Sequence, residues 1–210
     1  MNLNLDQINQ QLRLKSPEQI VRWAMQLDQA IIASTSFSKG SAVMLNILQQ
    51  AEATFPVVWV DSGYNTPETY RVAQRLIDGF TLDFHIFTPR VSVERRAALG
   101  GVPSPESEAF KRFVEEVKLE PFQRALQEFQ PNIWITGIRR EETVHRETLD
   151  IVTWDENGLL KVAPIFDWTQ ERVDRYLQSL DLPSPRSYFD PTKLSEHAEC
   201  GLHTSALIAS

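Results

Sequence analysis

Cysteine occurs once in the chain, in the run Glu199-Cys200-Gly201-Leu202-His203. A lone cysteine closes no intrachain disulfide and holds no metal cluster by itself, so any special chemistry is that of one sulfur, most sharply a thiolate nucleophile. The ordinary alternative is a small buried hydrophobe. The setting speaks against that alternative: a polar, proline-interrupted segment precedes Cys200, a glycine adjoins it, and His197 and His203 flank it. These three residues also have a spacing open to metal ligation. A closed zinc site takes four ligands, usually with paired cysteines, and only Glu196 or Glu199 could complete this one, so we assign no metal. A histidine that lowers the thiol pKa or contacts an anion fits better. His85 and His145 carry no comparable signal and are read as structural.

Three loops could hold an anionic partner for that sulfur. Residues 34–41, Ser-Thr-Ser-Phe-Ser-Lys-Gly-Ser, bring hydroxyls, Lys39 and backbone N–H groups to the start of a helix, where unpaired amides and the helix dipole favour negative charge. Serine-rich caps precede many helices, and the loop lacks the Gly-x-x-x-x-Gly-Lys of a Walker loop, so alone it is equally a plain cap. Its pairing with Asp61-Ser62-Gly63 suggests a nucleotide: a carboxylate accepts from ribose or base, and glycine allows close approach. Arg139, Arg140 and Arg146 form the densest basic cluster, with Lys118 and Lys161 as further cations for the same face. Arginine grips phosphate or sulfate oxygens bidentately, which makes the cluster a candidate polyanion clamp. The alternative is a solvated loop whose arginines pair with Glu141, Glu142 and Glu147.

The elements that must carry these loops alternate. Ser16-Pro17-Glu18 starts a helix by cap and proline, within a helical lead-in to about residue 27. Residues 30–33 and 57–60 read as buried strands, each followed by one of the loops and then a helix, the second opened by Thr66-Pro67-Glu68. Residues 83–87 suit a third strand, and 91–116 a partly irregular connection with helical pieces. A helix at 119–129, a strand at 133–135 and the arginine loop follow. Residues 161–165 read as an edge-like strand, and Asp167 and Gln170 have capping-box spacing for a helix running to 180. Pro183, Pro185 and Pro191 then interrupt regular structure. The expectation is an α/β fold, a doubly wound, mainly parallel sheet whose ligand sits beyond the carboxyl ends of the strands. We divide it into a nucleotide-binding domain, 1–182, and a tail, 183–210, that carries the cysteine.

With 210 residues, 42% of them apolar, the chain can bury an ordinary core. The net charge of −7 argues against sequence-independent nucleic-acid binding and leaves small anions as the natural partners. The N-terminal residues lack a basic region followed by an apolar one, and no apolar run approaches membrane-spanning length, so a soluble cytoplasmic protein is expected.

Taken together, Ser36-Phe37-Ser38, Asp61-Ser62-Gly63-Tyr64 with Pro67-Glu68-Thr69-Tyr70, Lys118-Leu119-Glu120-Pro121, Gly137-Ile138-Arg139-Arg140-Glu141, Pro164-Ile165-Phe166-Asp167-Trp168 and the terminal Glu-Cys-Gly-Leu-His resemble the sulfonucleotide reductases, above all the members that reduce phosphoadenylylsulfate (PAPS). The resemblance runs from about residue 30 to 180 and resumes at Glu199. It implies an adenine nucleotide alpha hydrolase-like (PP-loop) architecture and a place in assimilatory sulfate reduction, toward cysteine biosynthesis. By the same resemblance Cys200 attacks the sulfur of PAPS to give an enzyme thiosulfonate and adenosine 3',5'-bisphosphate, and thioredoxin or glutaredoxin releases sulfite. It assigns Ser36, Phe37, Ser38, Asp61, Gly63, Lys118, Arg139, Arg140, Arg146, Lys161 and His203 to the substrate. Lys39 and Ser41 stand where the pyrophosphatase loop of adenylating enzymes has them. A homodimer is compatible with this reading.

Two departures separate the chain from its relatives. Members that reduce adenylylsulfate hold a four-iron cluster through a Cys-Cys pair before the lysine and a later Cys-x-x-Cys; here Phe113 and Val114 occupy the first place and no second pair exists, so no iron–sulfur cluster or other bound cofactor is expected. The segment between the last helix and the cysteine, which supplies basic contacts in the family, is reduced to residues 183–198, with Arg186 and Lys193. Rival readings are a cluster-free adenylylsulfate reductase, an ATP-pyrophosphatase-type adenylating enzyme using residues 36–41, and a non-catalytic nucleotide-binding relative.

Overall fold

A computed structural model describes residues 3–193. Six strands form one sheet, β1 (Ile31–Thr35), β2 (Val57–Val60), β3 (Phe84–Phe87), β4 (Ile133–Ile135), β5 (Val152–Trp154) and β6 (Leu160–Val162), in the spatial order β3-β2-β1-β4-β6-β5. All neighbouring pairs are parallel except β5 with β6. The central strands are apolar at successive positions because both sheet faces are covered. Ile31, Ala33, Val57, Trp59, Ile133 and Ile135 enter one core, whereas the alternate residues Ile32, Val58 and Trp134 enter the other.

Helices α1 (Leu5–Leu12), α2 (Pro17–Met25), α3 (Ser41–Gln50), α4 (Pro67–Gly79) and α8 (Gln170–Ser179) contribute to the first core. On the opposite face α7 (Glu120–Phe129) packs Phe122 against Trp134, with ring centroids 4.8 Å apart. The short helices α5 (Val93–Ala98) and α6 (Glu108–Val114), and a π-helical turn Glu115–Leu119, lie between β3 and α7. Local chemistry sets the helix starts. Ser16 and Gln19 form a reciprocal capping box, and Thr66 accepts from the Thr69 amide at 3.1 Å ahead of Pro67.

Two expectations are corrected. The strand around Lys161 is not at an edge: β6 lies between β4 and β5, and the outer position belongs to β5, which the sequence reading left unassigned. Pro164 misled it. That residue falls beyond β6, where its missing N–H removes no ladder bond. The β5–β6 turn rests on Asp155, whose carboxylate accepts from the Asn157 and Leu159 amides, with Gly158 at φ 77°. The free side of β5 is closed by the buried Asn9 amide, which donates to the Val152 carbonyl at 2.9 Å and accepts from the Val152 amide at 2.8 Å.

The second correction concerns α8. Its N-cap is Thr169, which accepts from the Arg172 amide, not Asp167. Asp167 instead receives the Arg140 guanidinium, with a full charge on both partners.

Candidate functional site

The chain moves from β1 outward through β2 to β3, then returns across β1 to add β4, so the winding reverses between β1 and β4. Ligands of open parallel sheets bind beyond the carboxyl ends at such a reversal. The loop after β4 approaches α3 closely here: a Cβ built on Gly137 would stand 2.9 Å from Met44 Cγ, so only glycine fits without a shift.

The loop after β1 gathers hydroxyls. Ser36 Oγ donates to Ser38 Oγ at 3.0 Å, and Ser38 and Ser41 hydroxyls lie 3.4 Å apart at the N-terminus of α3, whose cap Gly40 provides no side-chain bond. Phe37, assigned to the substrate by resemblance, turns its ring into the core. It is fully buried, edge-on to Trp59 at 4.8 Å, and sits at φ 50°, the left-handed region that a bulky residue rarely adopts. Only its backbone remains for a ligand, and the buried ring pins the loop's unusual conformation. Lys39 reaches Asp174 of α8 at 3.6 Å; both are substantially exposed.

After β2, Asp61 is held by three donors on one oxygen. Oδ1 accepts from the Gly63 amide, Asn65 Nδ2 and the Tyr70 hydroxyl, each at 2.9 Å. Burial and the bond to Asp61 push the Tyr70 hydroxyl up to about 12, so it remains a donor at working pH. The arrangement fixes the carboxylate and, among the described residues, leaves Oδ2 for an incoming N–H or O–H. Asp61, Ser62, Gly63 and Tyr70 line one wall of a cleft of about 410 Å³ whose other wall is residues 88–94. Gly63 has φ 83°, and a Cβ there would fall 2.6 Å from Val93 Cγ2. Replacing Gly63 by alanine therefore adds a clash to backbone strain, and urea denaturation should register a loss of about 1–3 kcal/mol. Stability equal to wild type would remove this role for Gly63.

The basic residues are less open than a free clamp would be. Arg139 is buried: Nη1 donates to Glu141 at 2.6 Å, Nη2 to Gln170 at 2.7 Å and to Glu142 at 3.3 Å. Arg146, also buried, pairs with Glu142. Glu141 further accepts from the Gln170 amide at 2.5 Å, placing a carboxylate at the start of α8. Gln170 passes a bond on to Asp174, the partner of Lys39, so the loops after β4 and β1 are joined through α8. The pairing with Glu141 and Glu142 is thus present, but Arg139 and Arg146 make it with buried guanidinium groups against partly exposed carboxylates. Glu147 contributes its carbonyl to Arg140 at 3.5 Å.

Arg140 differs from these two. It is partly exposed, bonds Asp167 at 2.9 Å, stacks over the Phe166 ring at 4.6 Å and lines a second cleft of about 510 Å³ with Glu141, Glu147, Asp167, Trp168 and Thr169. Lys161 of β6 places its ammonium 5.2 Å from the Trp134 ring centroid. Lys118, in the π-helical turn at the carboxyl edge, is nearly buried. It pairs with Asp190 and donates to Thr192 Oγ1 at 3.2 Å. Burial opposes ionisation of Asp190, yet the Lys118 charge and the bonds from Lys118 and Thr192 outweigh it and hold the carboxyl below its ordinary range.

The sequence-assigned residues thus fall into groups: Ser36, Ser38 and Ser41 come together, Asp61 and Gly63 share the first cleft, and Arg139 and Arg146 share a carboxylate network. Cys200 and His203 lie outside the described residues, as do Glu199 and His197. Sequence reasoning gave no role to Tyr70, Asn65, Asp190 or Thr192. Tyr70 stood inside a quoted motif, nine residues after Asp61, whereas no pattern pairs Asp190 with Lys118 across 72 residues.

The family profile of the phosphoadenosine phosphosulfate reductase domain matches residues 30–190. The phosphoadenosine 5'-phosphosulfate reductase of Synechococcus sp. is 37% identical over 183 residues, 86% of this chain and 78% of that protein. The protein of the same name from Thiocapsa roseopersicina is 34% identical over 181 residues, 85% and 75% of the two chains. Among solved structures, phosphoadenylyl-sulfate (PAPS) reductase from Candida auris, a phosphate complex, aligns with a TM-score of 0.78 at 24% identity, covering 90% of this chain and 97% of that one. NMN synthetase from Francisella tularensis aligns at 0.53 and 13% identity, over 87% and 73%. At these identities the structural likeness is one of fold. No helix among the described residues is long and apolar enough to cross a membrane.

Proposed function

Because this chain belongs to the phosphoadenosine phosphosulfate reductase family, we propose that it reduces PAPS to sulfite and adenosine 3',5'-bisphosphate. The observation that carries the reading is the family match from residue 30 to 190, which takes in the loops after β1, β2 and β4. The hydroxyls of Ser36, Ser38 and Ser41, Lys39 and the Phe37 backbone receive phosphate oxygens, and Asp61 beside Gly63 receives ribose or base donors. Lys118, Arg140, Lys161 and His203 meet the remaining phosphate and sulfonate charge, while Arg139 and Arg146 fix the loop that presents Arg140.

The Cys200 thiolate attacks the sulfonate sulfur, an S–S bond forms, and the sulfur–oxygen bond to the 5'-phosphate breaks, releasing adenosine 3',5'-bisphosphate. A thiolate of thioredoxin or glutaredoxin then attacks the Cys200 sulfur and expels sulfite. The donor's second thiol resolves the mixed disulfide, so the dithiol becomes a disulfide as sulfur gains two electrons. A chain with a single cysteine needs such an external resolving thiol. The reading extends to a cytoplasmic enzyme of sulfate assimilation that holds no iron–sulfur cluster.

The test is sulfite release from PAPS and from adenylylsulfate, each with and without reduced thioredoxin. Sulfite from PAPS only when thioredoxin is present is the expected result. Release from adenylylsulfate alone would reassign the substrate, and nucleotide binding without sulfite from either would leave a binding protein.

A further inference from the structure

After α8 the chain crosses the carboxyl edge as an irregular strap, residues 183–193, fastened at both ends. At one end the Ser184 hydroxyl donates to the Lys39 carbonyl of the hydroxyl-rich loop at 2.9 Å. At the other, Asp190 pairs with Lys118, their side chains only 7% and 12% exposed. Thr192 knits this end: its hydroxyl donates to Asp190 Oδ1 at 2.6 Å and accepts from Lys118, and its amide donates to the same Oδ1 at 3.0 Å. Within the strap, Pro185, Pro191 and Thr192 are buried. One end therefore rests on the proposed phosphate loop, and the other on a cation proposed to meet the substrate's negative charge.

A buried ion pair is a poor source of net stability, because desolvating both ions costs about as much as their attraction returns. Its value is clearer as an exchangeable contact. Ammonium donors of Lys118 serve Asp190 and Thr192, and a phosphate or sulfonate oxygen would compete for them. We propose that Asp190 is a built-in stand-in for the nucleotide's anionic group: the carboxylate that pairs with Lys118 is displaced when that group arrives, so that nucleotide binding unfastens the strap.

The inference rests on the proposed nucleotide reading and adds to it a competitor within the chain. Exchange of one anion for another keeps the buried ammonium paired at every stage, whereas the released carboxylate passes to water. The competition lowers the apparent nucleotide affinity by the fraction of molecules in which Lys118 is accessible. Cys200 lies ten residues beyond Asp190 in sequence, so this contact also fixes one end of the segment that bears the thiol.

Hydrogen exchange of peptides covering 183–193, with and without adenosine 3',5'-bisphosphate, and calorimetric titration of the same ligand test this on the full chain. Wild type should lose strap protection on binding. Asp190→Asn should show that loss without ligand and bind roughly tenfold more tightly; Thr192→Val, a milder change, should move both readouts the same way. Binding to wild type and variants with equal affinity and an unchanged strap overturns the displacement alone, as does weaker binding by both variants. No binding to any of the three proteins overturns the nucleotide reading, and the displacement with it.

Discussion

Replacing Cys200 by serine should reduce sulfite formation by at least about 10⁴-fold while leaving nucleotide affinity within a few-fold of wild type. Serine preserves the size of the side chain but offers a hydroxyl with no base assigned to activate it, whereas a thiol is readily ionised and intrinsically nucleophilic. Most of the proposed contacts that hold the nucleotide come from the loops after β1, β2 and β4, from Lys161 of β6 and from the π-helical turn, so binding survives loss of the sulfur. Intact-protein mass spectrometry separates the two functions. Wild type mixed with PAPS and no thioredoxin should gain the mass of one SO₃ group, which reduced thioredoxin removes, and Cys200→Ser should gain nothing. Wild-type protein that binds PAPS but stays unmodified would end the thiosulfonate mechanism and favour the non-catalytic reading.

The parts of this molecule that were legible in the sequence are those set by near neighbours. Val57–Val60 and Ile133–Ile135 read as strands because a parallel strand buried on both faces is a short apolar run. Thr66-Pro67 and Ser16-Pro17 announced helix starts because cap and first-turn proline act within four residues. What escaped was set by distant partners. β5 is three residues long, with an edge protected by Asn9, 143 residues earlier in the chain. Asp167 has the spacing of a cap, but local spacing cannot weigh Arg140, 27 residues away, against a backbone amide.

The same limit governs the site. Ser36, Ser38, Ser41 and Asp61 stand out because side chains of the right chemistry precede helices on adjacent strands. The direction of a side chain is invisible at that level: Phe37 has its ring in the core, and the arginine cluster divides between an interior network and one partly exposed member. Density of charge in a sequence reports the electrostatic material of a loop. Burial decides which charges remain for a ligand, and burial is a property of the whole fold.

That division gives adjacent arginines opposite expected phenotypes. Arg139→Ala should cost about 2–4 kcal/mol of stability, because it leaves Glu141 close to Glu142 without their shared cation and strips Gln170 of its donor in a mostly buried setting. The partial exposure of the two carboxylates keeps the loss below that of a fully buried pair. Arg139→Lys should recover only part of it, since one ammonium cannot reproduce a guanidinium fork that serves two carboxylates and an amide. Arg140→Ala should change stability by no more than about 1 kcal/mol, as its bond to Asp167 is solvent-screened, the Phe166 stack being the larger part. It should instead weaken adenosine 3',5'-bisphosphate binding by about 1.5–3 kcal/mol, the range for a charge-assisted contact. Denaturant titration and calorimetry on the same three variants read both quantities. If Arg139→Ala keeps wild-type stability and loses affinity instead, Arg139 is a ligand contact whose carboxylate partners give way to the nucleotide, and the interior-network role assigned to it fails.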